Sequence, residues 1–185
     1  MLQEMVVTSD TAANSSHARH DANPARTAAL AVTVIAAATL AGAWFFQLVL
    51  DIRPCPLCLE QRYAYYLAMP LGALTALAAA RGAPRAVLYA ALAILAAAAL
   101  ANAWMGAYHA GVEWQFWQGP TDCSGPVVDL GRAGTLLERL DTVKVTRCDE
   151  VQWRFLGLSL AGYNVLISLL MAAIAAWGMV SAKRA

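Results

Sequence analysis

The sequence predicts an all-α membrane protein, a four-helix transmembrane bundle, and three observations support this prediction. The chain of 185 residues is 60% hydrophobic and 14% charged, whereas soluble domains have roughly 45–50% apolar and about 25% charged residues. Four apolar runs are long enough to cross a bilayer. A Cys-x-x-Cys motif, formed by Cys55 and Cys58, lies at the start of the second run.

The four apolar runs set the expected domain organisation. A helix rises about 1.5 Å per residue and the hydrocarbon core is about 30 Å thick, so about 20 residues cross it. We expect one membrane domain over residues 28–182, with spans at 28–50, 56–80, 86–110 and 155–182. Residues 1–27 are polar and should form a flexible tail, because the first apolar run is too long and too far from Met1 for a signal peptide. Residues 183–185 form a short end.

Four spans place both termini on one side of the membrane. The large loop of residues 111–154 then lies on the other side, as do all four cysteines, which are Cys55, Cys58, Cys123 and Cys148. Basic residues are nearly balanced between the two sides, so they orient the chain only weakly. Disulfides persist in oxidising compartments, so we expect the cysteines to be periplasmic, or in an equivalent lumen, and both termini to be cytoplasmic.

The Cys-x-x-Cys motif is placed where a helix should begin. Pro56 suits the first helical position, which puts Cys58 in the first turn. There the unpaired backbone N–H groups and the positive end of the helix dipole favour a thiolate. Arg62 lies four residues further on the same face and adds positive charge. The motif therefore predicts a polarised cysteine pair at the membrane surface.

The second cysteine pair lies in the loop between the third and fourth spans. Cys123 is followed by Ser124 and Gly125, a turn sequence, and Cys148 is followed by Asp149 and Glu150. We expect a flexible, exposed setting, which would suit a disulfide that another protein must reach.

Three features together resemble the bacterial disulfide bond formation protein B family. They are the segment Arg53–Arg62 (RPCPLCLEQR) opening the second span, the loop pair Cys123 and Cys148, and the WRFLGL segment at 153–158 entering the last span. The similarity covers roughly residues 28–182. The 27 residues before it are longer than expected for the family.

The resemblance implies a multi-pass protein of the bacterial inner membrane that reoxidises a soluble periplasmic dithiol oxidase of the thioredoxin-like DsbA type. Cys123 would form the mixed disulfide with this partner, and Cys148 would resolve it. Electrons would then pass by thiol exchange to Cys55 and Cys58, through a transient bridge between Cys55 and Cys148.

The resemblance also implies that the electrons end on a membrane quinone, either ubiquinone or menaquinone. Cys58 would be the thiolate that meets the quinone ring, and Arg62 would stabilise the thiolate and a quinone oxygen. His109 is a further candidate, because an imidazole could hydrogen-bond a quinone carbonyl or supply its proton. Glu60 and Glu113 could relay protons, but we expect both carboxylates only to solvate the membrane edge.

Three other classes of protein fit the sequence less well. A zinc site of four thiolates is disfavoured, because Cys123 and Cys148 are too far apart in sequence to form a second zinc knuckle. A membrane protein with structural disulfides would explain the loop pair but not the motif at a helix start. An enzyme like vitamin K epoxide reductase shares the quinone-linked logic but orders its pairs differently. The net charge of +1 gives no argument for a nucleic-acid partner.

Overall fold

The computed structural model describes residues 23–120 and 147–184. This part of the chain contains four long helices, α1 (Pro24–Leu48), α2 (Pro56–Ala80), α3 (Arg85–Glu113) and α4 (Leu160–Arg184), and two short strands, β1 (Arg154–Phe155) and β2 (Leu158–Ser159). Each helix is long and apolar enough to cross a membrane, α4 over Leu160–Ala182. The prediction of a mainly helical chain with four spans is therefore confirmed.

The first two helices begin at prolines. Asn23 caps α1 by accepting a hydrogen bond from the backbone N–H of Ala25 (3.0 Å), and Pro24 occupies the first turn. Because this cap and proline fix the start, α1 begins four residues before the expected position and takes residues 24–27 from the expected tail. Residues 1–22 lie outside the described residues. The second helix, in contrast, has the expected bounds.

The fourth span was expected to begin at residue 155, and this is wrong. Arg154 pairs with Ser159 and Phe155 with Leu158 in an antiparallel hairpin. The two residues between them, Leu156 and Gly157, have φ of 48° and 83°, the left-handed backbone that a tight two-residue hairpin requires. The helix therefore begins only at Leu160. At the other end of the large loop, α3 runs three residues further than expected.

Small residues allow the helices to pack closely. The third helix packs along α4 and the first along α2, and most buried core positions are alanines, such as Ala28, Ala29 and Ala175. Side-chain packing of this kind, rather than a hydrophobic driving force, holds helices together in lipid. Many large apolar side chains point outward, and Trp104 is 78% exposed. This outer surface suits lipid contact.

A polar network ties three helices together inside the bundle. The Tyr65 hydroxyl donates to Asn164 Oδ1 (2.5 Å) and lies 3.2 Å from Ser168 Oγ. Asn102 Nδ2 donates to Asn164 Oδ1 (3.1 Å) and Ser168 Oγ (3.0 Å). Inside a membrane domain, side chains of this kind need partners from the protein itself. The network therefore favours one relative position of α2, α3 and α4.

Gly106 should be sensitive to the smallest enlargement. A Cβ added there would lie 2.8 Å from Asn164 Nδ2 and 3.0 Å from Val165 Cγ2, whereas one added at Gly42 would meet nothing within 4 Å. We predict that Gly106→Ala lowers the free energy of unfolding by about 1–3 kcal/mol, because it overpacks the interface between α3 and α4. Gly42→Ala is the matched control and should be neutral or slightly stabilising. Detergent-denaturation curves measure both, and equal stability of the two variants would contradict the packing described.

Candidate redox site

Cys55 and Cys58 form the start of α2. Cys55 is the N-cap residue, and its sulfur accepts a hydrogen bond from the backbone N–H of Cys58 at 3.3 Å. The two Sγ atoms lie 2.7 Å apart, and both residues are free cysteines. Pro56, at the first helical position, has no N–H that would need a partner. Both sulfurs therefore lie at the positive end of α2.

The two sulfurs have different roles in this pair. Cys55 is only 2% exposed. Its hydrogen bond with the Cys58 sulfur, together with burial, raises the pKa of the Cys55 thiol well above its ordinary value. A protonated Cys55 would leave the negative charge of the pair on Cys58, so the reactive thiolate expected at Cys58 stays a prediction.

His109 lies beside this pair on α3. Its side chain is buried, and its Nε2 atom lies 3.6 Å from Cys55 Sγ. Its Nδ1 atom lies 3.1 Å from the side-chain nitrogen of Gln61. His109 was predicted as a site residue from the sequence and Gln61 was not, because nothing in the sequence pairs a residue of α2 with one of α3.

Cys148 approaches the motif from the large loop. It is 1% exposed and packs in one apolar cluster with Cys55, Leu57 and Val112. The expectation of an exposed setting for Cys148 is therefore wrong, because the loop end folds back into the bundle. Cys148 is disulfide-bonded. Cys123 lies outside the described residues, so its predicted role stays a prediction.

An apolar cavity of about 530 Å³ opens beside Cys58. It is lined by residues of all four helices and of the segments 52–55 and 147–155. Its surface is mainly apolar, and the polar side chains that also line it include Cys55, Cys58, Gln61, Arg62, His109 and Glu113. A mainly apolar cavity with a few convergent polar groups is typical of small-molecule sites.

Arg62 lines this cavity but is held by α1. Its Nη1 atom donates to Gln47 Oε1 (2.7 Å), and Nη2 lies 3.5 Å from the carbonyl oxygen of Ala43. Its guanidinium carbon lies 5.4 Å from the centre of the Trp44 ring, within the range of a cation–π interaction. These contacts fix a buried positive charge one helical turn from Cys58, although its effect on the thiolate stays a prediction.

Glu113, at the end of α3, is partly buried and accepts a hydrogen bond from the hydroxyl of Ser159, and Ser159 in turn accepts one from the N–H of Gly162 (3.2 Å). The hairpin thus brings Ser159 to Glu113. The expectation that this carboxylate takes no part in proton transfer stays a prediction. Glu60 is exposed, in keeping with its expected place at the surface.

The ligand atoms of Cys55, Cys58 and His109 lie within 4.8 Å of one another, a spacing that a metal ion could also use. Two thiolates on one zinc, with Zn–S bonds of about 2.3 Å and tetrahedral angles, are roughly 3.8 Å apart. The 2.7 Å between the two sulfurs is much shorter. The two sulfurs would therefore have to move apart to bind one zinc ion.

The asymmetry of the pair predicts which sulfur reacts first. With a limiting amount of iodoacetamide at pH 7.5, the reduced protein should be alkylated at Cys58 at least about ten times faster than at Cys55, because the thiolate is the nucleophile. Fragmentation of the singly alkylated peptide by mass spectrometry locates the label. Preferential labelling of Cys55 would contradict this assignment.

Comparison with known proteins agrees with this site. The family model "Disulfide bond formation protein DsbB" matches residues 25–178. The chain is 32% identical over 160 residues to disulfide bond formation protein B of Azoarcus sp., which covers 80% of this chain and 88% of the relative. It is 35% identical over 152 residues to the protein of the same name from Marinobacter nauticus, covering 76% and 83%. No solved structure matches the chain.

The structure agrees with these matches. It has four spans, a cysteine pair at a helix start and a third cysteine, Cys148, packed against this pair. A lone Cys-x-x-Cys motif would be weak evidence, but the family match extends over all four helices. The chain therefore belongs to the disulfide bond formation protein B family and is a membrane disulfide oxidoreductase.

Proposed function

We propose that this protein reoxidises a periplasmic thioredoxin-like oxidase of the DsbA type and delivers the electrons to quinone in the bacterial inner membrane. One observation carries this proposal. The Cys55–Cys58 pair packs in one cluster with Cys148 and also lines the apolar cavity. The pair is thus placed to receive electrons from a protein thiol and to pass them to an acceptor that enters from the bilayer.

The thiol steps begin in the large loop. A thiolate of the reduced partner attacks Cys123, which breaks the Cys123–Cys148 disulfide and forms a mixed disulfide with the partner. The second thiolate of the partner then attacks the partner's sulfur in this mixed disulfide. The partner leaves with its own disulfide formed, and Cys123 and Cys148 are left reduced. Two electrons and two protons have moved from partner to loop.

The same electrons then reach the motif. The Cys148 thiolate attacks the Cys55 sulfur of an oxidised Cys55–Cys58 bond, and Cys58 leaves as a thiolate. Attack by Cys123 on Cys148 restores the loop disulfide and releases Cys55. The packing of Cys148 against Cys55 supports this choice of sulfur, and the helix N-terminus stabilises the departing Cys58 thiolate.

The cavity suits a quinone ring. Its volume of about 530 Å³ lies within the range of roughly 300–1,000 Å³ seen for small-molecule sites, and its lining is mainly apolar. Arg62 and His109 are candidate hydrogen-bond donors for the two ring oxygens. Cys58, in the first turn of α2, is part of the cavity wall. When bound, the quinone supplies an acceptor for two electrons and two protons.

The residues around the cavity divide the remaining work. Arg62 holds a positive charge where the Cys58 thiolate forms, and its contacts to α1 keep the guanidinium in place. His109 and Glu113 line the same cavity and are candidates to relay protons there. Family membership further supports periplasmic cysteines and cytoplasmic termini, the orientation in which a soluble oxidase can reach the loop pair.

Arg62 provides the sharpest test of this proposal. Replacing Arg62 by Ala removes a favourable charge interaction from a partly desolvated site, a loss on the order of one to a few kcal/mol. We predict that quinone reduction by the reduced partner slows roughly ten- to a hundredfold, or that KM for quinone rises as much. Arg62→Lys should recover only part, because an ammonium lacks the planar fork of donors.

The control is Arg81→Ala, at the opposite end of α2, which should behave as the wild type. Stopped-flow measurements with purified protein, reduced partner and a short-chain quinone follow the thiol and quinone steps separately. The thiol step should change little in Arg62→Ala. An unchanged quinone step would mean that Arg62 only anchors α2 to α1. A wild-type protein that reduces no quinone would favour a purely structural disulfide protein.

A further inference from the structure

We propose that Gln61 is a positioning residue that fixes which ring nitrogen of His109 carries the proton. The protonated nitrogen then assists the exchange between Cys148 and Cys55. The inference rests on the proposed function but concerns a contact that the mechanism above does not use. Gln61 and His109 are both buried and come from different helices, α2 and α3. Their side chains meet at 3.1 Å.

The chemistry of the amide selects one tautomer of the imidazole. The side-chain nitrogen of Gln61, which faces His109 Nδ1, has two N–H donors and no acceptor. Nδ1 must therefore present its lone pair, so the single proton of the neutral ring sits on Nε2. In histidine sites generally, the bond made by one ring nitrogen decides what the other can do.

The protonated Nε2 then faces the exchange site. It lies 3.6 Å from Cys55 Sγ. With Nδ1 occupied by Gln61, Nε2–H is the ring donor left for this sulfur. His109 therefore directs an N–H group at one of the two exchanging sulfurs.

This donor matters most when Cys55 leaves. As Cys123 attacks Cys148, the Cys148–Cys55 bond breaks and Cys55 takes the electron pair as a thiolate. Nε2–H can donate to this developing charge, and no net oxidation occurs in the step. The opposite tautomer would turn a nitrogen lone pair towards the sulfur and would weaken the exchange. The role proposed above for His109, a hydrogen bond to a quinone oxygen, uses the same Nε2–H, so the two roles belong to different steps of the reaction.

The tautomer can be read directly in the full-length protein. Histidine labelled with ¹⁵N gives different imidazole signals for Nε2–H and Nδ1–H, and His17, His20 and His109 are the three histidines to assign. The wild type should show Nε2–H at His109. In Gln61→Met, which keeps a similar side-chain shape without a donor, part of the population should move to Nδ1–H. Gln118→Met, at an exposed glutamine, is the matched control and should change nothing.

The same variants report on the reaction. Loss of a neutral hydrogen bond predicts that Gln61→Met slows reoxidation of the reduced thioredoxin-like partner roughly three- to tenfold. His109→Gln should keep more activity than His109→Asn, because a glutamine amide reaches the position of Nε2 and an asparagine amide reaches that of Nδ1. A merely structural role would not produce this order.

Three results would overturn the inference. They are an Nδ1–H tautomer in the wild type, an unchanged tautomer in Gln61→Met, and equal activity of His109→Gln and His109→Asn. A wild-type protein that does not oxidise the partner at all would instead remove the proposed function, and the ¹⁵N signals would still decide whether Gln61 sets the tautomer.

Discussion

The hydrogen bond from the Cys58 N–H to the Cys55 sulfur is the contact on which the site depends. Helices prefer Ser, Thr, Asp or Asn at the N-cap, because an oxygen satisfies the free N–H groups. Here a sulfur takes that place. The capping contact therefore puts the first cysteine against the second and sets both in the positive field of α2. A stronger oxygen cap would stabilise the helix start but could not undergo exchange.

Contacts deeper in the bundle hold this arrangement in place. Helices in lipid pack through small residues and internal polar contacts, and this bundle uses both, as the alanine core and the Tyr65 network show. Within the described ranges 23–120 and 147–184, Asn102 Oδ1 is a buried polar atom without a hydrogen-bond partner. Because α2 and α3 are held by these contacts, His109 and Gln61 meet at one end of the bundle. The redox geometry is thus set by packing deeper in the membrane.

Much of the fold follows from the sequence because a bilayer imposes simple rules. A span needs about 20 apolar residues, so hydropathy locates the helices, and Pro56 marks the start of the second. The start at Pro24 was missed, because residues 24–27 are less apolar than the run that follows. The hairpin before α4 was missed because Phe155, Leu156 and Leu158 are as apolar as a helix start, although Gly157 signalled a turn. Contacts between helices escape periodicity altogether, which explains why Gln47 and Gln61 were not foreseen.

The site was predictable in composition but not in geometry. The motif, Arg62 and His109 could be named from spacing and resemblance, whereas the burial of Cys148 and its packing against Cys55 could not. Loops without a periodic pattern carry little information on where they fold back. Cys148 was expected in a flexible loop, and it is instead buried against the helices.

The central claim is that Cys148 exchanges with Cys55 rather than with Cys58. The most direct measurement uses two double variants, each with two cysteines left. Cys58→Ala with Cys123→Ala leaves Cys55 and Cys148, and Cys55→Ala with Cys123→Ala leaves Cys58 and Cys148. After mild oxidation, non-reducing gels with a thiol-reactive polymer count the disulfides. The account predicts nearly complete Cys55–Cys148 bonding and little Cys58–Cys148 bonding, and equal or reversed yields would contradict it.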